Sequence, residues 1–165
     1  MNRYLILFAV TVCIWLNSTP ARTASAPPSP GPKDKCPVCG MFVHKYPAWT
    51  AAIRFTDGRQ VWFDGAKDLF SYLNNLSRYA PDRKPAMISA IEVKDYYSLK
   101  LIDGKTAFYV IGSNVYGPMG HELVPLAKQS EAQEFLKDHA GKRIVRFHEI
   151  TPALLKTLEV TEQPC

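Results

Sequence analysis

WTAAIRFTDGRQVWFDGAKDLFSYLNNL, residues 49–76, passes through two strand-like runs and one helical run, and the order of those patterns decides the fold class. Residues 49–55 and Gln60–Phe63 are rich in β-branched and aromatic side chains. Thr56-Asp57-Gly58-Arg59 joins them, and an Asp-Gly pair between such runs signals a tight hairpin. The two strands are therefore expected to be antiparallel. From residue 65 the period changes: Ala66, Leu69, Phe70, Leu73 and Leu76 recur at helical spacing, with Asp64 placed to cap the helix N-terminus. A loop containing Pro81 and Pro85 leads to residues 87–93, a third strand whose apolar positions leave its register open.

The second half reads as a repeat of this order. Residues 98–102 and 106–111 are strand-like around Asp103-Gly104, which predicts another hairpin, and residues 122–126 pair beyond them. A helix is expected over 131–139, with Ser130 and Gln133 in a capping-box pattern, and residues 144–147 close as a strand. Laying residues 58–63 beside 120–125 brings the two helices into register. The fold expected is α+β: two related strand-strand-helix-strand halves, 35–96 and 97–158, with antiparallel-rich sheets. Each half alone buries too little to be stable, so the two should share one compact core.

At 165 residues and 47% apolar content the chain supports one such core. Before it, Met1-Asn2-Arg3 and the apolar run 4–16 read as an export signal, too short to span a bilayer comfortably, with Ala24-Ser25-Ala26 as the cleavage pattern. Cys13 follows Val10-Thr11-Val12, which lacks the small residues that lipoprotein processing prefers, so a cleaved signal over 1–26 is favoured over a lipid anchor. Residues 27–34, rich in proline, read as a tether, and 159–165 as a tail. Loss of Arg3 and Arg22 with the signal lowers the formal charge from +5 to +3. The remaining Lys and Arg residues are scattered among acids, without the basic stripe and stacking aromatics that nucleic-acid binding requires. Cys36, Cys39 and Cys165 remain after cleavage, and an odd count outside the cytoplasm argues against a disulfide-stapled scaffold.

The chemistry concentrates in Cys36-Pro37-Val38-Cys39-Gly40-Met41. Two thiolates three residues apart can bite one ion, a thioether follows, and sulfur donors of this softness favour Cu(I). Three other readings stay open, one of them a plain disulfide formed after export. A Cys-x-x-Cys pair also serves as half a zinc site, but the second ligand pair is missing and only isolated His44, His121, His139 and His148 remain. It also serves thiol-disulfide exchange, but that chemistry usually starts a helix, whereas this pair precedes the first strand. A second cluster, Met119-Gly120-His121, sets two donors at i and i+2, on one side of an extended chain. Taken singly, Met119 reads as core packing and His121 as a surface histidine. His44 is near enough to Cys39 in sequence to be a spare ligand, and His139 and His148 read as structural or exposed. Asp95 and Tyr96 are expected to end the third strand and bond locally. No paired-carboxylate, Ser-His-Asp or phosphate-loop arrangement is visible, so no enzyme activity is expected.

The ordered set of the cysteine loop, Asp57-Gly58, Phe63-Asp64, Val93-Lys94-Asp95-Tyr96 and Met119-Gly120-His121-Glu122 resembles the NosL family of nitrous oxide reductase accessory proteins, over about residues 36–150. The resemblance implies a periplasmic Cu(I) chaperone of two related halves. It implies transfer of copper toward the reductase's metal centres, through the reductase or its maturation factors and a membrane transporter complex. It points to Cys39, Met119 and His121 as metal ligands, with Cys36 and Met41 as auxiliary ones. Family members are commonly lipoproteins, which keeps the membrane close. Cys165 belongs to no pattern of the family.

Overall fold

The structure is a computed structural model that describes residues 29–160. The export signal, Cys13, the cleavage point and Cys165 lie outside the described residues. Residues 31–34, read from sequence as tether, close a turn: the Gly31 amide donates to Asp34 Oδ2 at 2.6 Å and the Asp34 amide to the Gly31 carbonyl at 3.1 Å. A side-chain acceptor in the turn supplies what proline content alone does not reveal.

Strands β1 (Ala51–Phe55) and β2 (Gln60–Phe63) form the expected hairpin, in register from Ala51 opposite Phe63 to Arg54 opposite Gln60. Gly58 takes φ +84°, a conformation in which a Cβ would be strained. Helix α1 (Ala66–Asn74) follows, then a short helix α2 (Leu76–Tyr79), and β3 (Ile88–Lys94) returns antiparallel to the other edge of β1. Strand β4 (Leu101–Asp103) pairs with β3, giving the order β2-β1-β3-β4.

This pairing corrects the second expected hairpin, because β4 does not pair with β5 (Phe108–Ile111). Gly104 lacks the positive φ that Gly58 shows. Its missing side chain serves close approach instead, since a Cβ there would lie 2.8 Å from Ile91 Cγ2. The Gly104 amide donates to the Ile91 carbonyl at 2.8 Å, and Tyr109 Oη donates to the Gly104 carbonyl at 2.6 Å. The chain thus crosses from one sheet to the other at this point.

Beyond β5 comes a ribbon of β6 (Tyr116–Gly117) and β7 (Gly120–His121), then β8 (Val124–Leu126), α3 (Gln129–Asp138), β9 (Arg143–Arg146) and α4 (Pro152–Val160). The second sheet has the order β8-β5-β9, antiparallel throughout. In both sheets the first strand pairs on one side with the next strand of its sheet and on the other with the strand that follows a helix. The expected capping box at Ser130 and Gln133 is not made: α3 starts earlier, with Lys128 at the N-cap and no side-chain cap bond.

One buried cluster joins both sheets, with Phe63, Phe70 and Val93 packed among residues such as Tyr109, Leu123, Val145 and Leu155. Phe70 of α1 carries much of that junction. Its ring meets Tyr109 edge-on at 5.3 Å and Phe147 at 5.2 Å, each such pair contributing about 0.5–1.5 kcal/mol beyond burial. A smaller cluster of Val110, Val124, Leu126, Ala132 and Phe135 lies under α3.

Candidate metal centre

The cysteine loop is closed by its own backbone. The Cys36 amide donates to the Met41 carbonyl at 2.8 Å, the Gly40 amide to the Cys36 carbonyl at 2.9 Å, and Lys35 bridges Phe42 just outside. Gly40 takes φ +80° to let the chain turn this tightly. The turn sends Cys36 inward, to 1% exposure, and leaves Cys39 half-buried at the rim.

Both thiols point at the start of α1. Cys36 Sγ donates to Asp68 Oδ2 at 3.1 Å, and Cys39 Sγ lies 3.3 and 3.4 Å from the two carboxylate oxygens of Asp64. One ligating atom from each of the four residues falls within 4.8 Å of every other, a spacing that one metal ion can bridge. Asp64 is not the helix cap that its position suggests. The N-cap is Gly65, with no side-chain bond, and the Asp64 carboxylate is turned to the thiol.

Burial dominates the electrostatics. Cys39 is pushed up to about 12 by desolvation, with the charge of Asp68 adding to it. Cys36, more deeply buried and also facing Asp68, is raised further. Burial likewise raises Asp68, although the neighbouring Cys39 and Cys36 thiols pull it back. Burial therefore favours the protonated form of both thiols. A cation bound by either sulfur would replace that sulfur's proton, because metals bind the thiolate form.

The other residues singled out from sequence are placed as follows. Met41 is half-buried and supplies the carbonyl that closes the loop. Met119 is 41% exposed, and its carbonyl accepts from Lys67 Nζ at 2.6 Å, which ties it to the helix that bears Asp68. His121 packs its ring 4.8 Å from Tyr116 and lines a cavity with Gly112, Lys142 and Leu158. His44 is exposed beside Phe42, and His139 stacks at 4.3 Å on Phe135. Asp95 bonds the Ser98 amide locally but also the Ala127 amide, both at 2.8 Å, which ties the ends of β3 and β8. Sequence reading took Asp64 for a cap and missed it and Asp68 as members of the cysteine cluster. Their i, i+4 spacing, which sets both on one side of a helix start, was the available signal.

Two antiparallel sheets with a pocket of two thiols and two carboxylates between a hairpin loop and a helix start define a small α+β protein with a centre of metal-ligating composition. Comparison with known proteins makes the class specific. The NosL family model matches residues 27–155, and the chain belongs to the NosL family. A copper-binding lipoprotein NosL from Stutzerimonas stutzeri is 29% identical over 131 residues, a match covering 74% of this chain and 65% of that protein's length. The crystal structure of the copper chaperone NosL from Shewanella denitrificans superposes with a TM-score of 0.64 at 24% identity, covering 78% of this chain and 97% of that one, and so shares the fold. Among the described residues no helix is long and apolar enough to cross a membrane.

Proposed function

We propose that this protein is an extracytoplasmic copper chaperone that carries Cu(I) on Cys39, Met119 and His121, with Cys36 and Met41 assisting capture and release. The observation that carries the reading is the convergence of the Cys36 and Cys39 thiols in one pocket at the mouth of a hairpin loop. Thiolate, thioether and imidazole donors form a soft set that selects Cu(I) among the available ions. The family membership and the copper-binding relative support the same cargo.

Transfer needs a rim that an acceptor can reach. Cys39 is half-buried and Met119 is exposed, while Cys36 lies inside. An incoming ligand can then bind the ion at the rim before Cys39 lets go, so a tightly held ion still moves. The acceptor belongs to the assembly of nitrous oxide reductase: the reductase itself or its maturation factors, reached with a membrane transporter complex on the periplasmic side of the membrane. A thiol-disulfide oxidoreductase or a structural zinc module would use the same cysteines without Met119.

The test is anaerobic Cu(I) titration of the reduced protein against a competing chelator, comparing wild type with Cys39→Ser, Met119→Leu and His121→Ala. Each variant is expected to bind more weakly. Unchanged affinity in all three removes the proposed site.

A further inference from the structure

The ribbon that carries Met119 and His121 is a slight structure. Among the described residues its two two-residue strands pair only with each other, and Tyr116 and Met119 stand out at 60% and 41% exposure. A two-stranded ribbon of this size is not stable alone in water. Its anchorage lies at its foot, in a residue the copper reading does not use.

Glu122 is buried at 3% exposure, directly after β7. Its Oε1 accepts from the Leu123 amide at 2.9 Å and from the Lys67 amide at 2.5 Å. The Lys67 amide is one of the N-terminal donors of α1 that have no intrahelical acceptor. With no side-chain cap on Gly65, a carboxyl group 55 residues along the chain from Lys67 does that work. Lys67 grips the ribbon a second time, through Nζ to the Met119 carbonyl. The next residue, Asp68, accepts the Cys36 thiol. One turn of α1 therefore holds the Met119 ribbon on one side and the cysteine loop on the other.

Two glycines reserve the space. A Cβ on Gly65 would overlap the Glu122 carboxyl, and a Cβ on Gly117 would meet the Glu122 side chain at 3.0–3.1 Å. Gly65 has φ −163°, an extended conformation open to any residue, so its smallness answers to the carboxyl and not to the backbone.

We infer that Glu122 is a positioning residue, a buried clasp that fixes the ribbon to the first turn of α1 and so sets Met119 beside the copper held at Cys39. The inference rests on the proposed copper site. Substitution of groups that orient metal ligands typically costs roughly ten- to hundredfold in affinity. Glu122→Gln keeps an oxygen able to accept both amides and should bind copper as wild type does. Glu122→Ala should weaken binding to the level of Met119→Leu, with no further loss in the double variant. Gly65→Ala should do the same by displacing the carboxyl, and should add nothing in the Glu122→Ala background.

The experiment is Cu(I) competition titration of the folded chain across this set, with copper-edge X-ray absorption counting sulfur neighbours; Glu122→Ala should lose one. Full affinity in Glu122→Ala and Gly65→Ala, beside a weakened Met119→Leu, overturns the clasp and leaves the copper site standing. Full affinity in Met119→Leu overturns the ligand assignment and the clasp with it. Hydrogen exchange of the unmutated protein reads the clasp where a variant does not fold: the Lys67 and Leu123 amides should be protected and open together, and free exchange at either one refutes it.

Discussion

Raising the pH from about 7 to about 9 is expected to tighten copper binding about hundredfold, through a single proton released from Cys39. The Cys39 thiol is pushed up to about 12 by burial, and therefore stays protonated across the whole range until metal displaces its proton. Each proton released on binding changes affinity about tenfold per pH unit, or about 1.4 kcal/mol. Cys36 is raised further by burial and by Asp68, and in the auxiliary role proposed for it keeps its proton, so Cys36→Ser should preserve the slope. Cys39→Ser should flatten it. The assay is anaerobic titration against a chelator of known protonation at three pH values in that range. A pH-independent affinity, or a slope that survives Cys39→Ser, refutes the argument. A slope near two refutes the auxiliary role of Cys36.

Other perturbations follow from the same contacts. Phe70→Ala removes the ring that joins α1 to Tyr109 and Phe147, and should cost about 3–5 kcal/mol while unfolding stays a single transition in calorimetry; two separated transitions would show that the halves do not share a core. Asp68→Asn removes a charge that raises both thiols, so Cys39 should react faster with iodoacetamide at fixed pH, and an unchanged rate would contradict the electrostatic reading. Burial holds the Glu122 carboxyl at about 8, against 4.5 for the free group. Its neutral form is favoured by folding, so its contribution is full below the free value and is lost as the pH rises through about 8. The unfolding temperature should fall across that window, and Glu122→Gln should flatten the fall.

Much of the fold was readable locally. The hairpin of β1 and β2, helix α1 and strand β3 all follow from hydrophobic period and one Asp-Gly turn, since these features depend on residues within a few positions of each other. The same signal misled at Asp103-Gly104. There the glycine accommodates Ile91 and Tyr109, which arrive from other strands, and no local pattern records them. Capping residues behaved similarly: Asp64 and Ser130 had the right identity and position for caps, yet neither makes one.

By itself the sequence determined the strand and helix order, the cysteine loop with its soft donors, and the resemblance to the NosL family that those motifs carry. Only the tertiary structure decided which groups face the thiols. Asp68 meets Cys36 across 32 residues of chain, and the Glu122 carboxyl reaches the Lys67 amide across 55. The reason is physical: a buried thiol or carboxyl must find a hydrogen-bond partner wherever packing brings one, and packing is settled by the whole core at once.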